Sequence, residues 1–323
     1  MMGGLKSTLA AVLVAAVTFG ATEGQAATAQ SADTVKTSGV PTLGGRQFWG
    51  DVKAHAKWRI QENVLTGHFR LLDPSNKRVT WGTYEECAEH LENVSQAHSL
   101  QWQSKHLVVM LHGLARTKTS FRKLQQTLDG AGYATLRVSY PSTRGSASDH
   151  AAKLNSLIER LEGIDTISFV THSFGGLVLR QTLSSASWRN RIAVNAGILL
   201  APPNQGSEIA DFLKDFGPYK LIGGRGGQAV TSEAAQALST PATPFGVIAG
   251  GRGDDKGFNP LLEGDDDGVV RVEEARLDGA SDFMVVDAIH TFIMDHPDAV
   301  EAIKNFLKVG RFDAAHGEET SLK

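Results

Sequence analysis

One cysteine in 323 residues, Cys87, excludes an intrachain disulfide. It sits in "TYEECAEHLENV", which reads as a helix, so a small buried apolar role is expected. No block of Lys or Arg occurs, and 32 basic against 35 acidic residues leave a formal charge of −3. Phosphate neutralisation needs clustered cations, so nucleic acid is not an expected partner. No His/Cys cluster has zinc spacing, and no cofactor or metal is called for. The acidic stretch between Asp254 and Asp267 could attract calcium but lacks EF-hand spacing. Glycine-rich "IGGRGGQ" and "GGRGDDKG" do not run into Lys-Ser or Lys-Thr, which excludes a P-loop. Arg252–Asp254 spells R-G-D, a tripeptide common by chance. There is no internal repeat.

No segment reaches the roughly 20 apolar residues that cross a bilayer. The nearest approach is at the N-terminus, where Lys6 is followed by "STLAAVLVAAVTFG" and then by small and polar residues. A basic start, an apolar segment of about a dozen residues and a small-residue exit are the layout of a secretory signal peptide. Export is therefore expected, to the periplasm or beyond, with residues 1–26 removed near Ala26 or Ala29. Residues 27–45 are small, polar and glycine-rich, a linker. A domain over 46–310 follows, with 46–104 as an N-terminal extension and 311–323 as a flexible tail. Within the extension, "WRIQENVLTGHFRLLD" predicts two strands turning at Thr66–Gly67.

From Leu107 onward short apolar runs alternate with amphipathic segments. "LVVML", "ATLRVSY", "TISFV", "AVNAGILLA", "PFGVIAGG" and "DFMVVDA" predict strands. Helices are predicted in "SFRKLQQTLDG", "DHAAKLNSLIERLEG", "FGGLVLRQTL", "EIADFLKDF" and "HPDAVEAIKNFLKVG". The fold class is α/β, a mostly parallel central sheet with helices on both faces and extra N-terminal edge strands. Functional groups then belong beyond the carboxyl ends of the strands.

Ser173 sits where "TISFV" meets "FGGLVLRQTL", in T-H-S-F-G. A nucleophile at such a corner usually reads G-x-S-x-G, because strand and helix backbones pass close together. Thr171 replaces the first glycine; Gly175 and Gly176 keep the second half. Upstream, "LVVMLHGL" ends a strand at His112–Gly113. In an α/β-hydrolase arrangement that loop and the residue after the nucleophile supply the oxyanion-binding amides, here Leu114 and Phe174. His112 itself is read as a structural histidine.

A hydroxyl nucleophile needs a base, and the base needs an orienting carboxylate. His290 follows the last strand and is preferred to His296, which precedes Pro297 at a helix start. For the acid, Asp265, Asp266 and Asp267 lie before Gly268, while Asp254 and Asp255 come sooner after their strand. Asp267 is favoured, with Asp254 and Asp255 as rivals.

Taken together, "VVMLHGL", "FVTHSFGG", "LLAPPNQGS", "DDDGVV" and "IHTFIM" resemble the serine esterase and lipase branch of the α/β-hydrolase superfamily, including bacterial lipases and related deacylases. The resemblance covers about residues 105–310. It implies Ser173 as nucleophile, Asp267 as acid, His290 as base, and Leu114 and Phe174 at the oxyanion. The implied activity is hydrolysis of a small-molecule or lipid ester, with transient contact to a lipid surface; oligomeric state stays open. A thioesterase, amidase or acyltransferase on the same residues, or a non-catalytic binding scaffold, are the rival readings. Residues 202–243 exceed a simple crossover, and Ile209, Phe212, Leu213 and Phe216 are expected to roof an acyl pocket, hinged at "IGGRGG".

Overall fold

The computed structural model describes residues 47–213 and 224–313. The expected signal peptide, linker, Phe216 and most of the tail lie outside these described residues. Six parallel strands form the central sheet: β5 (His106–Leu111), β6 (Ala134–Val138), β7 (Thr166–His172), β8 (Ala193–Leu200), β9 (Phe245–Gly251) and β10 (Asp282–Asp287). Their order is β10-β9-β8-β7-β5-β6. The single departure from sequential order places β5 between β6 and β7, and Leu111 pairs with Thr171 there.

Both faces of the sheet are buried, which is why its strands read as unbroken apolar runs. In β5, Leu107, Val109 and Leu111 enter one core layer and Val108 and Met110 the other. The first layer receives α3 (Ala147–Glu159) through Leu154, Leu157 and Ile158, and α4 (Phe174–Ser184) through Leu177, Val178 and Leu179. The second receives α2 (Arg122–Gly130) through Leu124 and Leu128, and α8 (Pro297–Val309) through Ala302, Ile303 and Phe306. Local signals bound these helices. Ser146 and Asp149 form a capping box at the start of α3. In α8, Pro297 opens the first turn and Gly310 closes the helix with φ 73°.

The N-terminal extension departs from expectation. Its strands are not added to the edge of the main sheet. β1 (Trp49–His55), β2 (Trp58–Asn63), β3 (Phe69–Leu72) and β4 (Arg78–Gly82) form a separate antiparallel sheet in sequence order. Helix α1 (Tyr84–His98) covers one face, burying Cys87 and Leu91 against Ile60 and Leu71. The extension is joined to the larger unit by main-chain and side-chain hydrogen bonds. Asp51 N–H donates to Ser139 O at 2.8 Å, and Ser139 N–H donates to Asp51 Oδ2 at 2.7 Å.

The connection from β8 to β9 carries the short helices α5 (Glu208–Leu213) and α6 (Ser232–Gln236). Another short helix, α7 (Val272–Ala275), follows β9.

Candidate active site

β7 ends at His172 and α4 begins at Phe174, leaving Ser173 alone on the corner at φ 53°, ψ −123°. A positive φ on a non-glycine residue is strained, and here the surroundings hold it. Ser173 N–H donates to Leu200 O at 2.9 Å, and Gly176 N–H donates to Ser173 O at 2.8 Å. The corner is tight because α4 runs directly over β5. A Cβ on Gly175 would stand 2.4 Å from Leu111 O, so only glycine fits. Thr171 in place of the usual glycine is accommodated: its hydroxyl donates to Ile198 O at 3.4 Å across to β8. Gly176 makes room on its other side, where a Cβ would stand 3.1 Å from Pro202 Cβ.

His290 lies in the loop after β10, and its ring spans two partners. Its Nδ1–H donates to Asp267 Oδ2 at 2.7 Å, and Ser173 Oγ lies 2.9 Å from its Nε2. Asp267 is buried, and its other oxygen accepts Val269 N–H at 3.0 Å and Val270 N–H at 2.8 Å. Four hydrogen bonds from fixed positions thus leave neither carboxylate oxygen nor imidazole nitrogen to choose another orientation.

The acid loop is long, yet it returns to its strand. Asp265 closes it by accepting Arg252 N–H at 2.7 Å and Gly253 N–H at 2.9 Å. Asp267 is thereby laid beside Gly250 near the end of β9, where a glycine Cβ would come within 2.8 Å of Asp267 Cβ. Asp266 turns away and accepts Asn259 N–H at 3.0 Å and Gly268 N–H at 2.6 Å. Burial pushes its carboxyl up to about 6. Asp254 caps its own turn, accepting Lys256 and Gly257 amides, and Asp255 is exposed. His296 occupies the N-cap position of α8, 4.0 Å from Asp298. The structure therefore brings Ser173, His290 and Asp267 together and leaves Asp254, Asp255 and His296 apart.

Gly113 and Leu114 face Ser173 from the end of β5. The Leu114 and Phe174 amides have no hydrogen-bond acceptor among the described residues. Phe174 N–H is the first of α4, where helix amides are left open and the dipole is positive. His112 is buried, stacked on Tyr140 at 4.2 Å, and donates from Nδ1 to Gly113 O. Burial holds its pKa down near 4, so it stays neutral.

These groups open onto a pocket of about 620 Å³, part of it open to solvent. Its wall is largely apolar: Leu114, Pro203, Ala210, Val230, Val269 and Val270. Three of these, with Ser207, come from the long connection between β8 and β9. The residues expected to face the pocket differ from those that do. Ile209 and Phe212 pack into the core, and the Leu213 side chain lies outside the described residues. Nor are Gly224 and Gly226 of "IGGRGG" a loose joint. A Cβ on either would lie 2.1 Å from the backbone oxygen of Thr143 or Ser142, so they are close-packing positions. Among the pocket residues that sequence reasoning did not assign are two with basic side chains, Arg116 and His172. Arg116 lies three residues beyond Gly113, and Nη2 donates to Thr291 O at 3.3 Å.

A family model described as the alpha/beta hydrolase family matches residues 108–303, more than half of the chain. The chain belongs to the α/β-hydrolase family. Among solved structures, the mature form of a Bacillus licheniformis lipase aligns with a TM-score of 0.51 and 18% identity, covering 63% of this chain and 91% of that one. A Legionella pneumophila phospholipase aligns with a TM-score of 0.51 and 18% identity, covering 64% of this chain and 60% of that one. At these identities the likeness is one of fold. No curated protein matches the chain.

Proposed function

We propose that this α/β-hydrolase is a serine esterase or lipase that cleaves carboxylic esters through an acyl-enzyme. The observation that carries the reading is the placement of His290, bonded to Asp267 through Nδ1 with Ser173 Oγ 2.9 Å from Nε2. With Nδ1 protonated, Nε2 is the free base facing the hydroxyl. Ser173 Oγ attacks the ester carbonyl carbon as its proton passes to His290. The carbonyl oxygen gains the negative charge, and the Leu114 and Phe174 amides stabilise it. Collapse breaks the bond to the alcohol oxygen, which takes the proton from His290. Water then attacks the acyl carbon with His290 again as base, and Ser173 is regenerated.

The apolar wall suits an acyl chain, and the structural neighbours, a lipase and a phospholipase, agree with a lipid or small-molecule ester. The segment 202–243 supplies much of that wall and is the proposed roof.

Hydrolysis of p-nitrophenyl esters across acyl lengths, beside matched thioesters and amides, tests the reading. Ser173→Ala is expected to reduce ester turnover by at least about 1000-fold. Equal activity in both proteins would show that Ser173 is only a corner residue, and a preference for thioesters or amides would move the substrate class.

Export belongs to the same proposal and rests on "STLAAVLVAAVTFG" behind Lys6. The mass of the protein recovered outside the cytoplasm should correspond to a start near Ala27 or Gln30, after Ala26 or Ala29. An intact Met1 on cytoplasmic protein would refute it.

A further inference from the structure

His290 stands in a loop between the end of β10 at Asp287 and the next turn at Ile293, with no ladder to hold it. Its main chain is nevertheless pinned on both sides. His290 N–H donates to Asp267 O at 2.8 Å. His290 O accepts the Nε2–H of His172 at 2.9 Å. The residue preceding the nucleophile therefore reaches across 118 positions of sequence to hold the residue that faces the nucleophile.

This is the one hydrogen bond of the His172 side chain among the described residues. His172 is 1% exposed, and its Nδ1 has no partner among the described residues. That nitrogen lies against Gly113, where a Cβ would approach it to 2.9 Å. The bond to a carbonyl requires a proton on Nε2, which leaves Nδ1 bare. The charged and titratable groups facing it are His290, Arg116 and His112. Burial, followed by the nearness of His290, holds its pKa well below the ordinary histidine value. His172 thus stays a neutral donor even while His290, 4.7 Å away between ring centroids, becomes imidazolium during turnover.

We infer that His172 is a positioning residue, whose Nε2–H fixes the His290 main chain so that the imidazole stays aligned between Ser173 and Asp267. The argument rests on the catalytic reading of Ser173 and His290. A histidine ring has only two torsions between it and the main chain, so displacing the His290 peptide displaces Nε2 with it. Displacements of about 1 Å cost around 100-fold in rate. His172 borders the pocket but is only 1% exposed, so the expected loss lies mainly in kcat with KM little changed.

The experiment compares wild type, His172→Phe, His172→Gln and Ser173→Ala on one short-chain p-nitrophenyl ester. Each protein is also examined for melting temperature and for the low-field proton resonance of the His290–Asp267 hydrogen bond. His172→Phe keeps an aromatic ring without the donor and is expected to lower kcat roughly 10- to 100-fold with KM within about threefold. Its low-field resonance should broaden or vanish. His172→Gln returns an N–H near the Nε2 position and should recover most of kcat and the resonance. If His172→Phe does not fold, His172→Asn replaces it, since its amide falls short of the His290 carbonyl.

Wild-type kcat in the donorless variant, or equal losses in the Phe and Gln variants that follow melting temperature, would overturn the inference. So would an unchanged low-field resonance beside a fallen kcat. Failure of the catalytic reading itself would appear separately, as Ser173→Ala retaining turnover.

Discussion

Asp266 and Asp267 are adjacent, both buried, and do different things because their partners differ. Asp267 holds an imidazole N–H and two loop amides; Asp266 holds loop amides alone. Burial is the largest influence on Asp266, and the neighbouring Asp267 adds to it, so its carboxyl is raised to about 6 from an ordinary 3.8. Between those values the native state holds a proton that the unfolded chain has released. Stability from this group is therefore full below pH 4 and falls as pH rises to 6 and beyond. The shift corresponds to a loss on the order of 3 kcal/mol across that window. In Asp266→Asn the amide oxygen can still accept the Asn259 and Gly268 N–H groups, while the titration is removed. Urea unfolding from pH 4 to 7 should show the variant gaining on wild type as pH rises. Parallel curves over that range would mean that Asp266 does not carry the shift.

At the scale of elements, legibility followed the range of the forces involved. The central strands were legible because burial on both faces leaves Val, Ile and Leu at consecutive positions, as in Leu107–Leu111. The amphipathic helices were legible for the same reason, and Pro297 and Gly310 bounded the last of them. β1 and β4 were not foreseen. "WGDVKAH" is buried to half-buried but carries Asp51 and Lys53, "RVTWG" has no buried position, and each is a strand through antiparallel pairing with β2 or β3. Around the site, the corner at Ser173 announced itself through its local glycines. Spacing alone could not separate Asp267 from Asp254, because the deciding event is a loop closure by Asp265 onto Arg252 and Gly253. The glycines of "IGGRGG" carried the opposite lesson. Glycine supplies freedom or room, and only the approach of Ser142 shows that room is meant at Gly226, while Gly224 at φ 55° against Thr143 O needs both.

At the scale of the whole molecule, the two sheets are coupled at several points, and a buried carboxylate is among them. Asp51 accepts Gln61 Nε2–H at 2.7 Å within the N-terminal sheet and Ser139 N–H at 2.7 Å beyond β6. Ala54 of β1 enters the core of the larger unit, and Arg160 of the segment after α3 donates to Val52 O. The N-terminal segment also reaches the site: Gln47 Nε2–H donates to Arg116 O at 2.8 Å, two residues beyond Leu114. Asp51→Ala strands a buried donor on Gln61 and a half-buried one at Ser139, and a buried donor left unpaired costs about 1–3 kcal/mol. The variant should melt in two steps, the first reported by Trp49, Trp58 and Trp81 of the N-terminal sheet. The proposed esterase activity should disappear with that first step, because release of Gln47 frees the backbone beside Leu114 while the central sheet is still folded. Calorimetry and fluorescence alongside activity would decide it. One transition at the wild-type temperature would make Asp51 a surface detail of the join. Two transitions with activity surviving the first would make the N-terminal sheet an appendage to a catalytic unit that needs no support from it.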